Sequence, residues 1–131
     1  MHEQKYFFNQ LRRTVKHLRG PHGCPWDQKQ TIHSLVRYLQ EEFNEIIDAI
    51  VKEDSANLCE ELGDFLYLIV MISEISEEQG GFTINDVIAS IDQKLIRRHP
   101  HVFENQSNLD ETALRKQWER IKKLEKKHKS T

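Results

Sequence analysis

The chain has 131 residues, of which 37% are hydrophobic and 31% are charged, and its net charge at pH 7 is −2. This length fits one domain with its own core, so we expect a single domain over residues 1–131. The abundant charge of both signs excludes a disordered tail, and the small net charge argues against a nucleic-acid or membrane partner.

The spacing of apolar residues predicts five helices and no strand, and therefore an all-α fold. Helix-breaking residues separate these segments, most clearly Gly80 with Gly81 and the later Pro100. The five helices are expected at about residues 3–18, 31–51, 55–79, 83–99 and 110–127.

Charge is distributed unevenly along the chain. From Glu41 to Asp64 there are nine acidic residues and one basic residue, whereas from Arg115 to Lys129 there are eight basic and two acidic residues. The basic helical tail, at about residues 110–131, is expected to be a solvated helix face. Nucleic-acid binding through this tail is an alternative that the acidic middle of the chain disfavours.

Three features predict a cytoplasmic protein without a membrane partner. Two cysteines, Cys24 and Cys59, are too few for a disulfide framework. The first residues lack the order of a signal peptide. The longest apolar run, residues 65–72, is far shorter than the roughly 20 residues that span a bilayer.

Two predicted helices carry carboxylates on or beside their apolar faces. At about 100° per residue, Glu42 and Glu45 lie at one edge of the apolar stripe of the second helix. Glu61 and Asp64 lie within the apolar face of the third helix. An i, i+3 pair projects in one direction, so adjacent helices would bring four carboxylates together.

Desolvated carboxylates this close together cannot all stay ionised unless a cation lies among them. Hard divalent cations such as Mg²⁺ take oxygen ligands of this kind. Pairing of the acids with Lys or Arg from another helix, or exposure to a solvent channel, remains the alternative. A di-iron bundle is disfavoured because it requires two Glu-x-x-His pairs, and the chain has one, Glu125 to His128.

The end of the fourth helix is rich in cations. Lys94 and Arg98 share a face, and beside an acidic metal site they would suit a polyphosphate ligand. They fit equally well as cations that offset the dipole at a helix C-terminus. Arg97 points elsewhere and is expected to be solvated.

The two tryptophans are open to two interpretations each. Trp118, on the apolar stripe of the last helix, is either a core residue or a flat wall on which a base stacks. Trp26 lies in a loop rich in Gly and Pro, where it would plug the end of a bundle.

Five segments spread over nearly the whole chain carry a family resemblance. They are GCPWD at 23–27, SLVRYLQEEFNEIIDAI at 34–50, EELGDFLYLIV at 60–70, KLIRRHPHVF at 94–103 and WERIKKLEK at 118–126. In these segments the chain resembles the MazG family of nucleoside triphosphate pyrophosphohydrolases. The resemblance implies an all-α, four-helix-bundle-like core of about five helices, completed by dimerisation. It also implies hydrolysis of NTP or dNTP to the monophosphate and pyrophosphate.

The resemblance further assigns roles to individual residues. Mg²⁺, or Mn²⁺ in its place, would be bound by Glu42, Glu45, Glu61 and Asp64. Glu41 would be an auxiliary ligand or would orient water, and the base that takes the proton of the attacking water would be Glu41 or Glu45. Lys94 and Arg98 match phosphate-binding positions, and Trp118 matches a position near the nucleotide.

The chain departs from the family pattern at two places. Relatives usually read Gln-Thr-His where this chain has an inserted Ile32 before His33, and Ala-Tyr where it has Phe43 and Asn44. These changes leave a narrower substrate, such as dUTP, dCTP or a phosphoribosyl nucleotide, as an alternative. Because some relatives carry a second, inactive domain of this type, a non-catalytic helical module stabilised by metal is another.

Overall fold

The computed structural model of the chain describes residues 8–104 and 109–129. All regular structure in these residues is helical, as predicted. The helices are α1 (Phe8–Arg19), α2 (Pro25–Lys29), α3 (Val36–Val51), α4 (Ser55–Glu78), α5 (Ile84–Arg98), α6 (Pro100–Phe103) and α7 (Glu111–Lys129). A 3₁₀ turn at His33–Leu35 leads into α3.

The described residues fall into two compact units, which divide after Ile84. The first contains α1 to α4, with α4 packed against both α3 and α1. The second contains α6, α7 and almost all of α5. The single domain expected over residues 1–131 stays a prediction.

Helix α4 is the central element of the first unit. It begins at the Asp54 cap, whose side chain accepts a hydrogen bond from the backbone N–H of Asn57 (3.1 Å). It ends where Gly80 adopts a positive φ of 79°. Its buried apolar side chains form the core with residues of the neighbouring elements: Val15, Leu35, Ala49, Leu68, Val70, Met71 and Ile75.

Helix α3 starts later than predicted, at Val36 instead of about residue 31. Thr31 and Ser34 bond each other's backbone N–H groups with their hydroxyls, at 2.9 and 3.0 Å. These bonds stabilise a separate turn and compete with a continuous helix. The predicted start of the first helix, over residues 3–7, lies outside the described residues.

Two short helices add to the five that were predicted. Trp26 lies in α2, which Pro25 starts, and its ring meets the Tyr38 ring edge-to-face at 5.2 Å. The sequence placed Trp26 in an irregular loop. Helix α6 likewise begins at a proline, Pro100. Both helices are too short for an apolar period to reveal them.

In the second unit, α7 begins after Asp110, whose carboxylate accepts a hydrogen bond from the Ala113 N–H (2.8 Å). The basic tail is therefore helical through Lys129, and residues 130–131 lie outside the described part of the chain. Within the residues described, no helix combines the length and apolarity needed to cross a membrane.

Candidate functional site

Three of the four predicted metal ligands meet where α3 packs against α4. Glu42, Glu45 and Glu61 each place a carboxylate oxygen within 4.8 Å of the other two. We call these three residues the acidic cluster. Glu61 is buried, Glu42 is half-buried and Glu45 is exposed. Of the four carboxylates that were predicted to meet, these three do, and their role as metal ligands stays a prediction.

The carboxylates of the acidic cluster lie so close together that either a cation lies among them or some of them are protonated. Glu42 Oε2 and Glu61 Oε1 are buried, and neither has a hydrogen-bond partner among the described residues. The adjacent Glu42, together with burial and Glu45, raises the pKa of Glu61 to about 7. Burial, reinforced by the charges of Glu45 and Asp64, also raises the pKa of Glu42. Pairing with Lys or Arg does not account for the two unpartnered oxygens.

The donor set fits a hard divalent cation. It consists of carboxylate oxygens from two helices, one of them well buried, and Mg²⁺ is bound through one or a few such carboxylates with water and phosphate. No histidine or cysteine belongs to this cluster, which disfavours the softer metals.

Asp64 was predicted to lie within the apolar face of its helix, but its side chain is exposed. The ion pairs Lys16–Glu74 (3.0 Å) and Arg19–Glu78 (2.8 Å) show that α1 covers the second half of α4. Asp64 lies in the first half. It is outside the three-carboxylate group but lines an adjoining cavity of about 280 Å³.

This cavity, which we call the acidic cavity, is lined by three acidic residues, Glu41, Glu42 and Asp64. The other lining residues are Trp26, Tyr38, Tyr67 and Leu68. The aromatic residues were not predicted to adjoin the acids, although Trp26 belongs to the GCPWD segment and Tyr67 lies one turn after Asp64.

The predicted phosphate-binding residues, Lys94 and Arg98, lie in the second unit. Lys94 is half-buried on α5. The Arg98 guanidinium is paired with Glu125 of α7 (Nη2–Oε1, 2.6 Å), which raises the pKa of Arg98. Arg97, expected to be solvated, pairs with the same carboxylate (Nε–Oε2, 2.6 Å). The helical period could not predict Glu125 as the partner of Arg97, because it relates residues within a single helix and Glu125 lies on another one.

Trp118 is 41% exposed, so its interpretation as a core residue is wrong. The Lys122 ammonium lies 4.3 Å from the ring centroid, and the Arg98 guanidinium carbon lies 5.8 Å from it. The ring also lines a cavity of about 510 Å³ together with Arg98, His99, His101 and Arg115. An aromatic face among cations suits a ligand that has both a flat ring and negative charge.

Comparisons with known proteins identify the family to which the chain belongs. Residues 30–103 match the model of the MazG nucleotide pyrophosphohydrolase domain. The match covers more than half of the chain, and it includes α3, α4 and α5. The chain therefore belongs to the MazG nucleotide pyrophosphohydrolase family.

Curated relatives extend well beyond the region that this chain matches. The chain is 46% identical over 126 residues to the nucleoside triphosphate pyrophosphohydrolase/pyrophosphatase MazG of Thermotoga maritima, covering 96% of this chain and 48% of that protein. It is 42% identical over 117 residues to the nucleoside triphosphate pyrophosphohydrolase of Escherichia coli K12, covering 88% of this chain and 44% of that protein. The chain thus spans less than half the length of these relatives.

A solved structure has a similar fold. The crystal structure of a mazG-related protein from Thermotoga maritima matches with a TM-score of 0.73 at 29% identity. The match covers 88% of this chain and 98% of that one.

Proposed function

We propose that the protein is a Mg²⁺-dependent nucleotide pyrophosphohydrolase that converts NTP or dNTP to the monophosphate and pyrophosphate. The observation that carries the proposal is the acidic cluster, with its two buried and unpartnered carboxylate oxygens. Family membership and the names of the relatives support the same activity.

Glu42, Glu45 and Glu61 would bind the metal, and Asp64 would contribute from the rim of the adjoining cavity. Bound Mg²⁺ supplies charge neutralisation at the phosphate oxygens and lowers the pKa of water. Mn²⁺, which takes the same oxygen ligands, is expected to substitute. Glu41 or Glu45, both exposed at the site, would accept the proton of the attacking water.

Lys94, Arg98 and Trp118 would bind the nucleotide. Arg98 offers a planar fork of donors that suits phosphate oxygens. Glu125 accepts hydrogen bonds from the guanidinium and so limits its rotation. Trp118 offers an exposed ring for stacking.

We also propose a cytoplasmic homodimer or higher oligomer. The support is a set of exposed apolar side chains on α3 and α4: Phe43, Ile47, Ile50, Leu62 and Leu66. Large apolar side chains at successive turns of packed helices are typical of an association surface. Two cysteines outside disulfides agree with a reducing compartment.

The direct test is identification of the products from the eight common NTPs and dNTPs, with Mg²⁺ and with EDTA. The proposal predicts equal amounts of monophosphate and pyrophosphate, formed only with the metal. Release of inorganic phosphate and a diphosphate would contradict it. Turnover of a single nucleotide would favour the narrower substrate class. Binding of Mg²⁺ without any turnover would favour a non-catalytic module.

A further inference from the structure

Asp27 is a buried carboxylate to which the proposed function gives no role. It lies on α2 and is 4% exposed. The Tyr67 hydroxyl of α4 donates a hydrogen bond to its Oδ1. Tyr67 lies three residues after Asp64 and lines the acidic cavity. The Asp27 side chain therefore fastens α2 to α4 beside the candidate site.

A second set of hydrogen bonds, made by Arg19, also joins α2 to α4. Arg19 Nη1 donates to the backbone carbonyls of Asp27 (2.6 Å) and Gln30 (3.1 Å). Arg19 Nε and Nη2 each donate to the carboxylate of Glu78 at 2.8 Å. Arg19 therefore fixes the backbone at the end of α2 to Glu78 of α4. The Asp27 side chain fixes α2 to α4 at a second point, Tyr67, beside the cavity.

Trp26, the residue before Asp27, also lines the cavity. Its ring lies at 81° to that of Tyr38. Asp27 therefore connects two of the three aromatic residues: it follows Trp26 in sequence and bonds the Tyr67 hydroxyl. Trp26, Tyr38 and Tyr67 all line the acidic cavity, whose other polar lining residues are acidic, and we call these three residues the aromatic wall.

We propose that Asp27 is a positioning residue that, through Tyr67, fixes the aromatic wall of the acidic cavity and so determines the affinity for the nucleotide. This inference rests on the proposed function, because it takes the cavity as part of the nucleotide site. Side chains that are already held in place lose less entropy when the nucleotide binds against them, so the affinity is higher. The acidic cluster has no bond to Asp27 among the described residues, so the affinity for Mg²⁺ alone is independent of this wall.

The test compares Tyr67→Phe, Asp27→Ala and Asp27→Asn by calorimetry with Mg²⁺ alone and with a Mg²⁺–NTP analogue that resists hydrolysis. We expect Tyr67→Phe and Asp27→Ala each to weaken analogue binding by about 10-fold, with Mg²⁺ affinity within twofold of wild type. The double variant should be no worse than either single one, since both remove the same bond. Asp27→Asn keeps an oxygen acceptor and should bind nearly as wild type.

Glu74→Gln is the matched control, because it removes the ion pair of Glu74 with Lys16 of α1, which does not involve α2, and should leave analogue affinity unchanged. Tyr67→Phe leaves the buried Asp27 carboxylate without this donor, so circular dichroism and urea unfolding of each variant check that it is folded. If folded Tyr67→Phe binds the analogue as wild type does, the positioning role is overturned and the proposed function is untouched. If wild type binds Mg²⁺ but no analogue, both proposals fail.

Discussion

At the scale of single residues, two buried carboxylates of the first unit, those of Glu61 and Asp27, lie in or beside the candidate site. Glu61 is buried, as its place on the apolar face of the helix predicted. Asp64 shares that face and is exposed, because a wheel cannot show where along a helix its neighbours end. Asp27 was missed because its burial depends on Tyr67, 40 residues away in sequence.

Replacing either of two glycines by alanine should change the free energy of unfolding, in opposite directions. A Cβ at Gly23 would overlap the backbone carbonyls of His17 and Leu18, so Gly23→Ala should lower the free energy of unfolding by about 1–3 kcal/mol. A Cβ at Gly63, inside α4, would meet nothing within 4 Å. Gly63→Ala should therefore raise the free energy of unfolding by about 0.5–1 kcal/mol. Urea unfolding measures both, and equal effects would contradict the packing described for Gly23.

At the scale of elements, the five long helices were predictable because each carries an apolar stripe over several turns. Their ends were less predictable where side chains offered the backbone other partners, as Thr31 and Ser34 do before α3. Pairing between helices was not predictable either. Nothing in the sequence of α5 indicates that Arg97 and Arg98 share a carboxylate 27 or more residues away.

The link between α5 and α7 gives a prediction for pH dependence. Arg98, followed by Arg97, lowers the pKa of Glu125 from 4.5 to about 2. A carboxylate with a depressed pKa in the folded state stabilises the fold above its unfolded pKa, and this contribution is lost as the pH falls from 4.5 towards 2. Glu125→Gln should therefore lower the urea midpoint at pH 7, and the difference from wild type should shrink below pH 4.5.

Glu119→Gln is the control for this prediction, since Glu119 is an exposed acid on the same helix. It should leave the urea midpoint near that of wild type. A Glu125→Gln deficit that is the same at pH 7 and at pH 2.5 would show that the effect is not ionic.

At the scale of the whole molecule, the first unit leaves apolar side chains exposed on both helices that hold the acidic cluster. Phe43 is 57% exposed, Ile50 55% and Leu62 50%. The acidic cluster and this surface lie on the same pair of helices, α3 and α4. Assembly through the surface would therefore hold the two helices that position the carboxylates, and self-association and metal binding should be linked.

A charge placed on this surface should dissociate the assembly. Ile47 is 42% exposed on α3, between Phe43 and Ile50. Ile47→Glu should raise the dissociation constant by about 10-fold or more, because an unpaired charge would be buried at the interface. Sedimentation velocity over a range of concentrations measures this, with Thr14→Glu on α1 as control. A wild-type protein that is monomeric at micromolar concentration would contradict the proposed oligomer.

We propose that the acidic cluster holds the metal that nucleotide hydrolysis requires. The most direct measurement is Mg²⁺-dependent pyrophosphate release by Glu61→Gln and by Asp48→Asn, an exposed acid on α3 outside the cluster. We predict that Glu61→Gln loses activity by about 100-fold or more, while Asp48→Asn retains it. If folded Glu61→Gln releases pyrophosphate as fast as wild type does, the acidic cluster is not the catalytic metal site.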